Sequence, residues 1–197
     1  MTDQQTTAYR LILGSSSPYR RELLQRFGLE FECVSPDVDE SPLPKEPADA
    51  LACRLAELKA QAVARQHPDA VVIGSDQVLE CNGQLLGKPG NKDNAIKQLQ
   101  MMSGQRLNFY TALHVCRGEQ HAAELAVTRV QFRQLDSAEI EAYLAREPAY
   151  DVAGSCKAES LGIALCDSIQ SDDPTALIGL PLIRLRGMLK QFGIAVL

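Results

Sequence analysis

An α/β fold built on a mixed sheet is predicted by three observations. Short apolar runs alternate with amphipathic helical patterns along the whole chain. Turn signals at Asn82-Gly83 and Gly118 join extended runs into hairpins, while other runs lead directly into helices, so antiparallel and βα units coexist. Length and composition (197 residues, 45% apolar, 23% charged) suit one soluble globular unit with a proper interior.

The elements follow in order. Leu11 to Gly14 reads as a buried strand, and Ser17 to Phe27 as a helix with Ser17 as N-cap, Pro18 as first helical residue and Gly28 as terminator. Phe31 to Val34 is a short strand. A loop rich in proline (Pro36, Pro42, Pro44, Pro47) encloses Asp37, Asp39 and Glu40. Leu51, Leu55, Leu58 and Ala62 share one face of a helix from Ala48 to Gln66. Val71 to Ile73 is a buried strand, and Asn82-Gly83 turns the chain into Gln84 to Leu86. A helix runs from Asp93 to Met102. Leu107 to Arg117 and Ala122 to Leu135 form a long hairpin. Asp136 or Ser137 starts a helix through Arg146, supported by Glu139. Leu161 to Ile169 is a strand candidate, and Pro181 opens a last helix whose Leu182, Leu185, Leu189 and Phe192 read as core.

Composition narrows the function. Twenty basic against twenty-five acidic residues give a net charge of −5, the wrong balance for a protein whose partner is a nucleic-acid backbone. No apolar stretch reaches the roughly 18–20 residues that span a bilayer. The six cysteines form no C-x-x-C pair, and the segment Met1 to Arg10 is polar, which together predict reduced thiols and a cytoplasmic location. A homodimer is compatible with the sequence.

The chemistry concentrates after the first strand. Gly14-Ser15-Ser16-Ser17-Pro18-Tyr19-Arg20-Arg21 puts two cations in the first turn of a helix, where the dipole favours acids. Free N–H groups, hydroxyls and guanidinium forks at one point describe a phosphate site; the alternative leaves both arginines in solvent. Asp76, directly after a buried strand, is placed as a general base, a metal ligand or a turn aspartate. Asp37, Asp39 and Glu40 are oxygen ligands of the kind Mg²⁺ or Mn²⁺ takes, or else a solvated loop. Lys59 borders the apolar stripe of its helix and either enters a cleft or snorkels to water. Gly83 to Pro89 approaches a P-loop pattern but is one residue short and has Pro89 in place of Ser/Thr. His67, His114 and His121 stand in no ligand or triad spacing and read as structural or surface residues. Cys156 reads as packing.

Taken together, these segments resemble the Maf family of nucleoside triphosphate pyrophosphatases. The resemblance is carried by Ser15-x-Ser17-Pro18-x-Arg20, Asp39-Glu40, Arg54-Leu55-Ala56-x-x-Lys59-Ala60, Gly74-Ser75-Asp76, Gly87-Lys88-Pro89, Ser103-Gly104, Ala153-Gly154 and Gly179-Leu180-Pro181, in family order across nearly the whole chain. It implies a single elongated domain over 1–197 with two lobes around a central cleft, of the Maf/ITPase-like type. It also implies metal-dependent hydrolysis between the α- and β-phosphates. By that pattern Asp76 is the general base, Glu40 and Asp76 hold Mg²⁺ or Mn²⁺, and Ser15, Arg20, Lys59 and Lys88 grip the triphosphate. Tyr19, Gln77 and Glu159 depart from the commonest pattern and look like the subgroup acting on 7-methyl-GTP. An aromatic face suits a cationic purine, and a carboxylate suits its N–H donors. The competing readings are action on dTTP, UTP or another modified nucleotide, and a regulatory protein of septum formation without enzymatic activity.

Overall fold

The computed structural model describes residues 9–197; the polar segment noted above lies, for residues 1–8, outside the described part. Leu11–Gly14 (β1) leads into Pro18–Gln25 (α1), then Glu32–Cys33 (β2), Ala48–Ala64 (α2), Val71–Cys81 (β3), Gln84–Leu86 (β4) and Lys92–Met102 (α3). Arg106–Arg117 (β5), Gln120–Phe132 (β6), Ser137–Arg146 (α4), Cys166–Gln170 (β7) and Leu182–Gln191 (α5) complete the chain. The seven strands form one sheet in the order β2-β1-β3-β5-β6-β7, with β4 also on β3. β1 pairs parallel with β2 and β3, and every other pairing is antiparallel, the mixed sheet expected from the sequence.

Local rules account for most boundaries. The Ser17 hydroxyl accepts from the Arg20 N–H and Pro18 opens α1. Asn82 and Gly83 both take positive φ (51° and 80°), the backbone that a two-residue hairpin turn demands. Asp136 and Glu139 form a reciprocal capping box at α4. Asp136→Ala therefore lowers stability by about 1 kcal/mol in a urea titration. Pro181 is the N-cap of α5 and supplies no side-chain acceptor. Thr175 and Asp173 substitute for one: the Thr175 hydroxyl accepts from the Leu182 N–H at 2.8 Å, and the Asp173 carboxylate accepts from the Arg184 N–H at 3.1 Å.

Two sequence expectations change. Leu161 to Leu165 forms 3₁₀ turns, and strand geometry begins only at Cys166. Gly162 is the reason. Its N–H donates to the Lys157 carbonyl, and a Cβ there would lie 2.6 Å from that oxygen, so the chain is folded back on itself. Asp76 lies in the middle of β3 and does not follow its end. β3 extends to Cys81 because β5 pairs with it over Val72 to Cys81.

The other edge of β3 is divided, and this division builds the cleft. β1 covers Val71 to Gly74 and β4 covers Leu79 to Cys81, so no strand covers the edge between Ser75 and Val78. One apolar core gathers β1, α1 and α5 around Leu13, Ile73 and Leu189. A second gathers α3, α4 and the distal parts of β3, β5 and β6 around Leu99, Phe132 and Tyr143. The long strands run through both, and the uncovered edge lies between them. No helix among the described residues is long and apolar enough to cross a membrane.

Candidate active site

A cleft of about 830 Å³ opens over that edge. Its lining includes Ser15, Tyr19, Arg20, Glu40, Lys59, Gly87 and Lys88, together with Asp76 and Gln77 from β3. Asp76 is reached because β1 stops at Gly14, opposite Gly74, two residues earlier. This satisfies the rule that ligands bind beyond strand ends, although the strand that ends is β1.

Lys59 points into the cleft, and the snorkelling alternative is set aside. Its Nζ is 2.6 Å from Asp76 Oδ1 and 2.9 Å from Glu40 Oε1, with the lysine and aspartate side chains 7% and 9% exposed and Glu40 57% exposed. Burial raises the Asp76 pKa above the ordinary 3.8, against the opposing pull of Lys59 and Arg20. Burial also lowers the Arg20 pKa, opposed by Asp76 and Glu40. Arg20 Nε donates to the Gly179 carbonyl at 2.9 Å. Its other two guanidinium nitrogens make no hydrogen bond among the described residues, so the fork stays available to an anion. Arg21 is exposed, so of the two cations in that turn only Arg20 serves the cleft. Lys88 lines the cleft, exposed and with no ion pair among the described residues.

The acidic loop is held by α2. Arg54 donates from Nε and Nη2 to the two oxygens of Glu46 at 2.6 and 2.7 Å, and from Nη2 to the Ser41 carbonyl. Glu40 thus directly precedes a clamped residue, Ser41. The guanidinium holds the Glu46 pKa at about 2. The clamp's contribution is therefore complete above the ordinary glutamate range and is lost only as pH falls toward that value. Arg54→Ala should loosen the loop and raise KM for a metal–nucleotide complex by about tenfold, read by steady-state kinetics.

The donor set fits a hard divalent cation. Glu40 and Asp76 already converge on a single cation, the Lys59 ammonium, and both offer carboxylate oxygens, the ligands such ions take.

Three features escaped sequence reasoning. Asp151 accepts from the Tyr19 hydroxyl at 2.9 Å and pairs with Lys157 at 3.0 Å, while the Lys157 ammonium lies 5.4 Å from the Tyr19 ring centroid. The 171–181 loop is set by buried Asp173, which accepts from the Thr175 hydroxyl and presents the Gly179 carbonyl to both Arg20 and Ser75. His114, Cys116 and His121 converge on the same sheet. Nothing in the motif pattern marks Asp151, Lys157 or Asp173, although Gly179 falls within the Gly179-Leu180-Pro181 motif; the third feature follows from counting residues across the Gly118 hairpin.

The predicted base-reading trio is only partly assembled. Tyr19 and Gln77 line the cleft, but the Gln77 amide donates to Thr111 Oγ1 and the carbonyls of Ala176 and Leu177, spending its N–H groups on the fold. Glu159 does not line the cleft. A turn in which the Ser160 N–H donates to the Lys157 carbonyl carries Glu159 outward, onto an adjoining depression of about 240 Å³ beside Ile163 and Pro174 that shares Ile178 with the cleft. Lys157 faces Tyr19 instead. Cys156 donates weakly to the Gly162 carbonyl at 3.6 Å, in keeping with a packing role.

Comparison with known proteins finds relatives that match over nearly the whole chain. A protein of Cupriavidus pinatubonensis (strain JMP 134 / LMG 1197), named 7-methyl-GTP pyrophosphatase, is 56% identical over 186 residues, covering 93% of this chain and 94% of its own. One of the same name from Albidiferax ferrireducens is 58% identical over 190 residues, covering 95% and 96%. Among solved structures, the Staphylococcus aureus Ham1 protein aligns with 62% of this chain and 71% of its own at 15% identity and a TM-score of 0.47. The Maf-like protein family matches residues 10–192, a span that holds every cleft residue described above, and the chain belongs to that family.

Proposed function

We propose that this chain hydrolyses 7-methyl-GTP between the α- and β-phosphates, giving 7-methyl-GMP and pyrophosphate. The observation that carries the reading is the convergence, in one cleft, of a buried aspartate with raised pKa, a buried lysine, an arginine with a free fork and a second carboxylate. The names of the close relatives support the substrate.

Asp76 accepts a proton from a water whose oxygen attacks phosphorus, and the bridging oxygen leaves with pyrophosphate. Arg20, Lys59 and Lys88 neutralise the charge that spreads over the phosphoryl oxygens, and Ser15 sits where β1 delivers the chain to the phosphates. Glu40 and Asp76 would hold Mg²⁺ or Mn²⁺, which supplies further charge neutralisation. Tyr19 offers the methylated ring an aromatic face. The Lys157 ammonium already occupies a position over that face, so a cationic base replaces a resident cation beside Asp151. Asp151 places an anion next to the stacking platform, and Glu159, on the adjoining depression, is the second carboxylate for the N–H donors of the base.

The test is pyrophosphate release from 7-methyl-GTP, GTP, dTTP and UTP with Mg²⁺ or Mn²⁺. Preference for 7-methyl-GTP supports the reading; preference for dTTP or UTP keeps the chemistry and rejects the base assignment. Tyr19→Ala should lower the 7-methyl-GTP over GTP ratio of kcat/KM by roughly 5–30-fold, the equivalent of about 1–2 kcal/mol of cation–π attraction. Glu159→Gln should selectively lower 7-methyl-GTP turnover, and an unchanged base preference rejects a base-reading role for Glu159.

A further inference from the structure

Away from the nucleotide cleft, β5 and β6 carry His114, Cys116 and His121 on one face of the sheet. The register sets this: Cys116 stands opposite His121 across the Gly118 hairpin, and His114 is two residues from Cys116 on the same strand. One ligand atom from each lies within 4.8 Å of the others. His114 Nε2 and His121 Nδ1 are 3.2 Å apart, with the rings inclined at 63°. Two imidazole nitrogens on one tetrahedral zinc ion lie about 3.3 Å apart, given Zn–N bonds of about 2.0–2.1 Å, so this pair already has the required spacing. We propose that His114, Cys116 and His121 form a binding site for one divalent transition-metal ion of the zinc class, distinct from the cleft.

The donor chemistry selects that class. Two imidazoles and a thiolate suit zinc and its congeners, whereas Mg²⁺ takes oxygen ligands. His114 and Cys116 are buried and fixed on a central strand, and His121 is exposed, which gives an ion a route in. The charge of Glu57, on α2 above them, acts on both His114 and Cys116. Gln61 Nε2 holds that carboxylate from one turn away at 2.8 Å. Three protein ligands leave the fourth tetrahedral position to water. On binding, Cys116 releases its thiol proton to water, and the imidazole that donates in the His114–His121 bond shifts its hydrogen to its other ring nitrogen. No co-reactant is needed.

The site and the cleft occupy opposite flanks of α2. Lys59 reaches Asp76 from this helix, and Glu57, two residues earlier and about 200° around it, acts on His114.

The probe is Co²⁺ added to chelator-treated full-length protein. We expect one equivalent to bind with a thiolate-to-cobalt charge-transfer band, which an oxygen-ligated ion in the cleft does not give. Cys116→Ser should abolish the band. His121→Ala, at an exposed position that the fold tolerates, should weaken Co²⁺ binding by at least the about 10–100-fold that loss of even an outer-shell partner costs. Absence of the band at stoichiometric Co²⁺ overturns the proposal, as does a band that survives Cys116→Ser. Should Cys116→Ser fail to fold by circular dichroism, unchanged Co²⁺ affinity in His121→Ala overturns it instead. None of these readouts depends on nucleotide hydrolysis, so the site stands or falls separately from the proposed activity.

Discussion

Asp76→Asn is expected to reduce pyrophosphate release by about 10²–10⁴-fold, the usual worth of a positioned general base, while leaving circular dichroism unchanged. The amide keeps the shape of the side chain and Lys59 keeps Glu40 as its partner, so the fold survives the change. A pH profile sharpens the test. Only the ionised carboxylate accepts the proton, and burial has moved the Asp76 pKa above 3.8. In the wild type, kcat/KM for the free enzyme should therefore fall as pH drops through a value above the ordinary aspartate range. Lys59→Met removes the partner that most strongly pulls this pKa down, so the acid limb should move to higher pH as well as the rate falling. A limb that stays in place in Lys59→Met would reject Asp76 as the group that titrates. Full activity in Asp76→Asn would reject it as the base.

How much of this was visible in the residues depends on whether the signal was local. The start of α1 at Ser17-Pro18, the Asn82-Gly83 turn and the Asp136/Glu139 box are each decided within four residues, and each appears where the sequence places it. The length of β3 was not visible, because its second half is a strand by virtue of β5, some thirty residues away in sequence. The cleft residues Ser15, Arg20, Lys59, Asp76 and Lys88 were legible as a set and the structure gathers them. The place of Glu159 outside the cleft lining was not visible, because its direction depends on a turn closed by the Lys157 carbonyl, a contact with no sequence signature. Lys157 and Asp151 were missed for the same reason. They become a site only when a loop more than 130 residues beyond Tyr19 packs against it. The histidine cluster is different: the Gly118 turn fixes the register, and counting outward from it pairs Cys116 with His121.

The largest structural effect is expected at Gly74, where the sequence offers only a small residue ahead of Ser75-Asp76. A Cβ on Gly74 would lie 2.2 Å from the Ala56 carbonyl oxygen, 2.7 Å from the Ala60 N and 2.8 Å from the Ala60 Cβ. These contacts are mostly α2 backbone, which cannot swing aside as a flexible side chain would. Ala56 and Ala60 are themselves completely buried, so the helix rests on the strand through alanines and a glycine. Gly74→Ala must lift α2 from β3, and overpacking of this kind costs about 3 kcal/mol. Gly74→Val costs more, since two further methyl groups enter the same space. The displacement bears directly on the site, because the Lys59–Asp76 pair spans this contact at 2.6 Å. Gly74→Ala should therefore lower Tm and reduce kcat together, even though Gly74 is not among the residues that line the cleft. Gly87→Ala is the control: a Cβ there meets nothing within 4 Å, in a segment that also lines the cleft. If Gly74→Ala folds with wild-type stability and turns over normally, the close seat of α2 on β3 does not set the geometry of the Lys59–Asp76 pair.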